Sequence, residues 1–258
     1  MHACRQGGAN NFPLTGGKAS NWEGGIRGNA FVSGGYLPPS MRGIKYDGLI
    51  TLWDWYATFA ALAGVEAHDD RAAHAGLPPI DSFDLTHVLL GRNLTSPRRE
   101  VALGQEPRPS DLRQARLCAS FDVNAHAARE AARTHPGSRC SSVSGLLVDE
   151  GTRGLWKLLT GDERQAVQTG PTYPNASSAV DTNEWVAHCG TGCLYELRAD
   201  PLEQNNLAAA LPERVASMRK RLDEIAATAF DPDRGLINDM ACEAALSRHG
   251  GFWGPFVD

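Results

Sequence analysis

Lys18 closes the run Asn11-Phe12-Pro13-Leu14-Thr15-Gly16-Gly17-Lys18, and the glycine-rich segment Trp22-Glu23-Gly24-Gly25-Ile26-Arg27-Gly28 follows it closely. An ammonium is a compact charge with three donors, suited to an oxygen of a small anion, and glycines beside it let the chain approach such a ligand closely. An arbitrary lysine is more often simply solvated, so Lys18 stands out for its setting. Ordinary turns are the plainer reading of the same glycines. Arg27 reads as a partner in a structural ion pair rather than as a ligand.

Other residues with chemical potential are weaker candidates. Cys189-Gly-Thr-Gly-Cys193 has no second Cys or His pair at zinc spacing, which leaves a disulfide or plain structural cysteines ahead of a metal site. His68-Asp69-Asp70-Arg71 reads as a solvated loop, because adjacent side chains in a linker do not converge on one ion. Asn93-Leu94-Thr95 and Asn175-Ala176-Ser177 are sequons, usable as glycan acceptors only on the secretory route. The chain holds no Gly-x-Ser-x-Gly elbow, phosphate loop, His-Glu-x-x-His or calcium loop.

The elements that must position these residues fall into two groups. The first 45 residues read as ordered loop around a buried strand at Asn29-Ala30-Phe31-Val32. From Thr51, apolar residues at Leu52, Trp55, Tyr56, Phe59, Leu62 and Ala63 predict an amphipathic helix stopped by Gly64. A linker-like mixture over 65–80 follows, then Phe83, Leu85 and Val88 to Leu90 suggest a buried helical turn, and a domain boundary is expected near 95. Beyond it, 100–104, 145–148, 155–159 and 193–197 read as strands of an antiparallel sheet, and a helix through 125–134 is an option. Leu211, Val215, Met218, Leu222, Ile225 and Ala229 predict a helix, with Pro212 in its first turn, that packs on the sheet. The pattern is α/β followed by α+β.

Composition narrows the class further. The 258 residues, 42% of them hydrophobic, furnish a globular core. A net charge of −5 with dispersed Lys and Arg argues against nucleic acid as a partner. The longest apolar stretch, Trp53 to Val65, is broken by Asp54 and Thr58, so neither a membrane span nor a membrane partner is expected. No signal-like apolar segment opens the chain. Six scattered cysteines leave the compartment open.

Taken in order, several stretches resemble the sulfatase family, closest to the arylsulfatase B type and to its C-terminal portion only. The lysine loop resembles the family's Pro-Leu-x-Gly-x-Lys, and 22–28 its Glu-Gly-Gly-x-Arg return. Asp54 to Thr58 is similar to an Asp-x-x-Pro-Thr helix with Ala57 in place of proline, and Ile80 to Leu85 to an Asp-Gly-x-Asp segment. Trp156-Lys157-Leu158 resembles the Trp-Lys-Leu strand, and Asp200-Pro201-Leu202-Glu203-Gln204-Asn205-Asn206-Leu207 the Asp-Pro-x-Glu-x-x-Asn-Leu turn. Gly251 to Phe256 resembles the closing Gly-x-Trp-Gly-Pro of arylsulfatase B; residues 105–144 and 162–188 match poorly.

The resemblance implies a division into residues 1–95, the tail of an alkaline phosphatase-like α/β domain, and 96–258, a small antiparallel sheet with a packed helix. It implies calcium-dependent hydrolysis of aryl or sugar sulfates in a lysosomal or extracellular setting, with a sulfated small molecule or glycan as partner and Lys18 on the sulfate. It also implies a formylglycine from a Cys/Ser-x-Pro/Ala-x-Arg motif, which none of the six cysteines begins, and calcium held by Asp-Asp and Asp-Asn pairs. By spacing from Lys18 the Asp-Asn pair would fall at or just before Met1. The expectations are therefore a truncated chain with no catalytic residue and no bound calcium, inactive alone, or else a noncatalytic sulfate- or glycan-binding remnant. The family's catalytic histidines belong to its N-terminal half, so His2, His68 and His74 are not assigned those roles, and Cys242 resembles a cysteine that bonds to that half.

Overall fold

The computed structural model describes residues 10–18, 20–104, 144–168, 170, 186–228, 240–252 and 254. Four strands form its centre: β1 (Glu100–Leu103), β2 (Ser144–Asp149), β3 (Leu155–Arg164) and β4 (Val186–Glu196). They run as an antiparallel meander in the order β1-β2-β3-β4. β2 and β3 pair from Ser144 opposite Thr160 to Asp149 opposite Leu155, and β3 and β4 from Trp156 opposite Glu196 outward. The four sheet strands expected at 100–104, 145–148, 155–159 and 193–197 are found, and β3 and β4 extend beyond the apolar runs. At Gly161 the β3–β4 register shifts, which marks a bulge.

Alternation along the strands gives the sheet two covered faces. On one, Leu146, Leu158 and Leu194 meet Met218 and Leu222. These last two lie on the helix Pro212–Ala227, whose period and first-turn proline match the sequence expectation. Its outer side carries Arg221, which holds Glu100 of β1 through both carboxylate oxygens. On the other face, Leu147, Leu159, Cys193, Tyr195 and Leu197 form a core with Trp22, so that here the cover is the loop that carries Lys18. The one-turn helix α1 (Glu23–Ile26) ends that loop.

Before the sheet come α2 (Asp54–Leu62), α3 (Asp70–His74) and α4 (Thr86–Leu89); the helix on the sheet is α5, and α6 (Met240–Ser247) follows it. Two expectations need correction. Residues 29–32 are not a buried strand: they have no regular structure, and Phe31 is 90% exposed because no described element lies over it. The helix expected from Thr51 exists, but its buried residues are Asp54, Ala57 and Thr58, while Leu52, Tyr56, Phe59 and Leu62 face outward. The inversion follows from Arg98, which is buried and draws Asp54 inward. The suggested buried turn is α4, with Leu85 and Val88 inside. The optional helix at 125–134 lies outside the described residues.

Residues 1–106 and 141–228 form one compact unit, so segments on both sides of position 95 belong to it; a second comprises 107–140 and 229–258. In the second, α6 buries Ala244 and Ala245 and is closed by a bond from the Gly251 N–H to the Ala245 carbonyl at 2.8 Å.

Leu158 is fully buried between sheet and α5. Leu158→Ala should lower unfolding free energy by about 2–5 kcal/mol, read from the midpoint of urea denaturation at unchanged slope.

Candidate functional site

The loop that carries Lys18 is built by close approach. Ser20 folds back on Gly17, its hydroxyl donating to the Gly17 carbonyl at 2.8 Å and accepting from the Gly17 N–H at 3.2 Å. The Gly24 N–H then donates to the Thr15 carbonyl at 2.8 Å. A Cβ on Gly24 would stand 2.5 Å from the Gly16 carbonyl oxygen, and one on Gly25 2.2 Å from that of Ser20. Only glycine lets α1 lie against the preceding turn, which gives the paired glycines of both motifs a packing reason.

The end of β3 and the residues after it bind this loop along its length. Glu163 accepts the Asn21 N–H at 3.1 Å, the Arg164 carbonyl accepts the Trp22 indole N–H at 3.0 Å, and the Gln165 amide donates to the Lys18 carbonyl at 2.9 Å. The Gly16 N–H donates to the Val167 carbonyl at 3.0 Å, and the Gln168 amide to the Pro13 carbonyl at 2.7 Å. Residues 163–168 lie in a stretch with poor family resemblance, and sequence reasoning missed their part in the site.

Beneath the loop, Lys157 is 0% exposed. Its ammonium reaches Glu23 at 3.0 Å and Glu203 at 2.7 Å, and Glu203 also accepts the Glu23 N–H at 2.7 Å. Glu203 holds a left-handed backbone (φ 57°), and its two carboxylate bonds keep the side chain turned inward. Three motifs distant in sequence, Trp-Glu-Gly-Gly, Trp-Lys-Leu and Asp-Pro-x-Glu, thus each supply one member of a buried ion cluster. That common content was the available signal. Arg27 lies 3.9 Å from Glu23 at the solvent side.

Glu163 joins this cluster as a third carboxylate and is 2% exposed, with no partner for Oε2 among the described residues. Burial pushes its carboxyl up to about 7, and Glu203 adds to the rise, while the Asn21 N–H and Lys157 act against it. Burial likewise raises Glu203 above the usual carboxylate range despite Lys157. Above the cluster the Trp22 and Tyr195 rings meet edge to face at 5.8 Å, and burial with Glu203 and Asp200 pushes the Tyr195 hydroxyl up to about 12.

A second polar node orders the residues around α2. Asp54 accepts from the Thr51 N–H and hydroxyl, both at 2.8 Å, and from the Phe83 N–H at 3.0 Å. Arg98 Nε donates to it at 2.9 Å and Nη2 closes a second bond; Nη2 also donates to the Asp81 carbonyl. Burial alone would raise the Asp54 carboxyl, but Arg98 and the other donors outweigh it and hold it below its ordinary value. The Ala57 N–H donates to the Ser82 hydroxyl at 2.8 Å, a bond that the family's proline would forgo.

The remaining sequence candidates stay apart from the loop. Lys18 itself is exposed, and its ammonium has no partner among the described residues. His68 lies 3.4 Å from Asp70, and Asp69 caps α3 by accepting the Ala72 N–H at 2.9 Å. Cys189 and Cys193 form a disulfide within β4. Asn93 is exposed, its side chain accepting the Thr95 N–H at 2.9 Å; Asn175 lies outside the described residues, as does His2. Among the described residues no three His, Cys, Asp or Glu side chains converge as a metal site, so no step through calcium follows from them.

The glycine-built lysine loop, the ion cluster joining three spaced motifs and the antiparallel sheet under one helix occur in a chain that is similar in sequence to an arylsulfatase. Arylsulfatase J of Mus musculus is similar, with 27% identity over 260 residues; the alignment covers 96% of this chain and 37% of that protein. The chain therefore spans little more than a third of the length of this relative. A solved sulfatase chain from work on glycosaminoglycan metabolism by Bacteroides thetaiotaomicron shares 18% identity over 83% of this chain and 32% of its own, at a TM-score of 0.41. No protein-family model matches the sequence.

Because Glu163 takes up a proton on folding, its contribution to stability is complete below its ordinary value of 4.5 and is lost as pH rises through about 7. Glu163→Gln keeps an acceptor for Asn21. It should flatten the fall in stability across this window, leaving the share owed to Glu203, and add about 1–3 kcal/mol at pH 8, measured by urea unfolding at several pH values.

Proposed function

We propose that this chain supplies the sulfate-facing lysine of a sulfate-ester hydrolase acting on aryl or sugar sulfates. The observation that carries the reading is Lys18: an exposed ammonium on a loop whose main chain is bonded on both sides of it. A compact cation held on a fixed backbone stabilises charge on a sulfate oxygen without reorganising when the ester breaks. Similarity to an arylsulfatase over nearly the whole chain supports the assignment.

In this reading the formylglycine and the calcium that such enzymes use are held by sequence other than these 258 residues. No Cys or Ser among the 258 begins the formylglycine motif. Calcium, when bound, supplies the positive charge that offsets sulfate. The outward apolar residues of α2 support a larger assembly, since a face bearing Tyr56, Phe59 and Leu62 is suited to burial under a further layer. We place residues 1–95 with the catalytic α/β domain of alkaline phosphatase type and 96–258 with the C-terminal sheet and helix. The Cys189–Cys193 disulfide and the exposed Asn93 sequon support a secretory, lysosomal or extracellular setting, with Asn93 and Asn175 as glycan acceptors. No helix among the described residues is long and apolar enough to cross a membrane.

The lack of a formylglycine motif in this stretch favours one second reading, a noncatalytic module that binds sulfated glycans through Lys18. One experiment tests the lysine on which both readings depend. Purified chain with calcium should show no turnover of 4-methylumbelliferyl sulfate; turnover above that of Lys18→Ala would overturn this expectation. Saturable binding of a sulfated glycosaminoglycan disaccharide, weakened about tenfold by Lys18→Ala, is expected if Lys18 contacts sulfate. Equal binding by wild type and Lys18→Ala would remove Lys18 from both readings.

A further inference from the structure

We propose that Gln165 is a positioning residue for Lys18, fixing the main chain from which its ammonium is presented. The inference rests on the reading of Lys18 as a sulfate ligand. β3 ends at Arg164, and Gln165 then takes a left-handed backbone (φ 61°), a conformation glycine adopts freely and other residues only at a cost. A side chain is retained there, 6% exposed, and it turns beneath the loop so that Nε2 donates to the Lys18 carbonyl at 2.9 Å. An observed outlier of this kind points to a use for the residue.

The rest of the amide is also directed at the loop. Its Oε1 is buried without a partner among the described residues and lies against Gly17, where a Cβ would stand 3.1 Å from it and 3.2 Å from the Asn11 amide nitrogen. Gly17 is thus boxed between two amides while Ser20 holds it from the other side. The residue before Lys18 has no room for a side chain, and the carbonyl of Lys18 is tied down. The Lys18 side chain itself is exposed to solvent. A neutral donor is needed at 165, because an ionised carboxylate would face the Lys18 carbonyl with no hydrogen to offer.

The test uses the purified chain, inorganic sulfate as probe, and the variants Gln165→Gly, Gln165→Glu and Lys18→Ala. Gln165→Gly suits the left-handed backbone, so it should melt near the wild-type temperature. Amide exchange over 18–21 should nevertheless rise about tenfold, and sulfate affinity measured by NMR titration should fall about threefold to tenfold, toward that of Lys18→Ala. Gln165→Glu should not restore either property. Unchanged exchange over 18–21 in Gln165→Gly overturns the proposal, and so does raised exchange with undiminished affinity where Lys18→Ala weakens binding. If Lys18→Ala binds sulfate like wild type, the sulfate reading of Lys18 fails separately, and exchange over 18–21 alone decides whether Gln165 holds this backbone.

Discussion

A buried ammonium must be compensated, and the compensation of Lys157 ties the described part of the larger unit together. An ion taken out of water is expensive unless opposite charge and good geometry meet it. Lys157 meets Glu23 from the loop and Glu203 from the turn after β4, so three segments far apart in sequence must come together or leave charge stranded. Such a cluster is weak evidence of net stability. Its physical effect is selective: alternative packings of the loop on the sheet would leave Lys157 unpaired.

The Lys18 loop depends on that arrangement. Glu23 begins α1, so its pairing with Lys157 sets where the chain returns after Lys18, and Trp22 beside it enters the apolar face of the sheet. The tail of β3 completes the attachment through alternating side-chain and main-chain bonds to residues 13–22. The surplus carboxylate, Glu163, sits where the loop is fastened, which makes the fastening sensitive to protonation. A second node follows the same rule on a smaller scale: Arg98 draws Asp54 inward, and α2 turns its apolar side out to satisfy that pair.

Much of the sheet was legible because strand burial imposes local patterns. Apolar runs at 100–103, 144–149 and 155–159 are what a sheet covered on both faces requires, and the period of 212–227 matches a helix with one buried stripe. The α2 segment shows where this logic stops. Its apolar period is real, yet burial followed the Asp54–Arg98 pair, and a hydrophobic count does not register a charge arriving from forty-four residues away. The exposed 29–32 run has the same lesson: apolar residues are buried only where another element covers them.

By itself the sequence determined the strand and helix segments, the resemblance to sulfatases and the prominence of Lys18, because periodicity, turn chemistry and short motifs are local properties of the chain. Tertiary structure alone decided that Glu23, Lys157 and Glu203 share one buried site, that Glu163 adds an uncompensated carboxyl to it, and that Gln165 reaches the Lys18 carbonyl. Those facts depend on which distant segments meet, on the register shift at Gly161 and on a left-handed turn at Gln165. The chain carries no local trace of such meetings, since the free energy of a buried charge is set by the neighbours that folding brings to it.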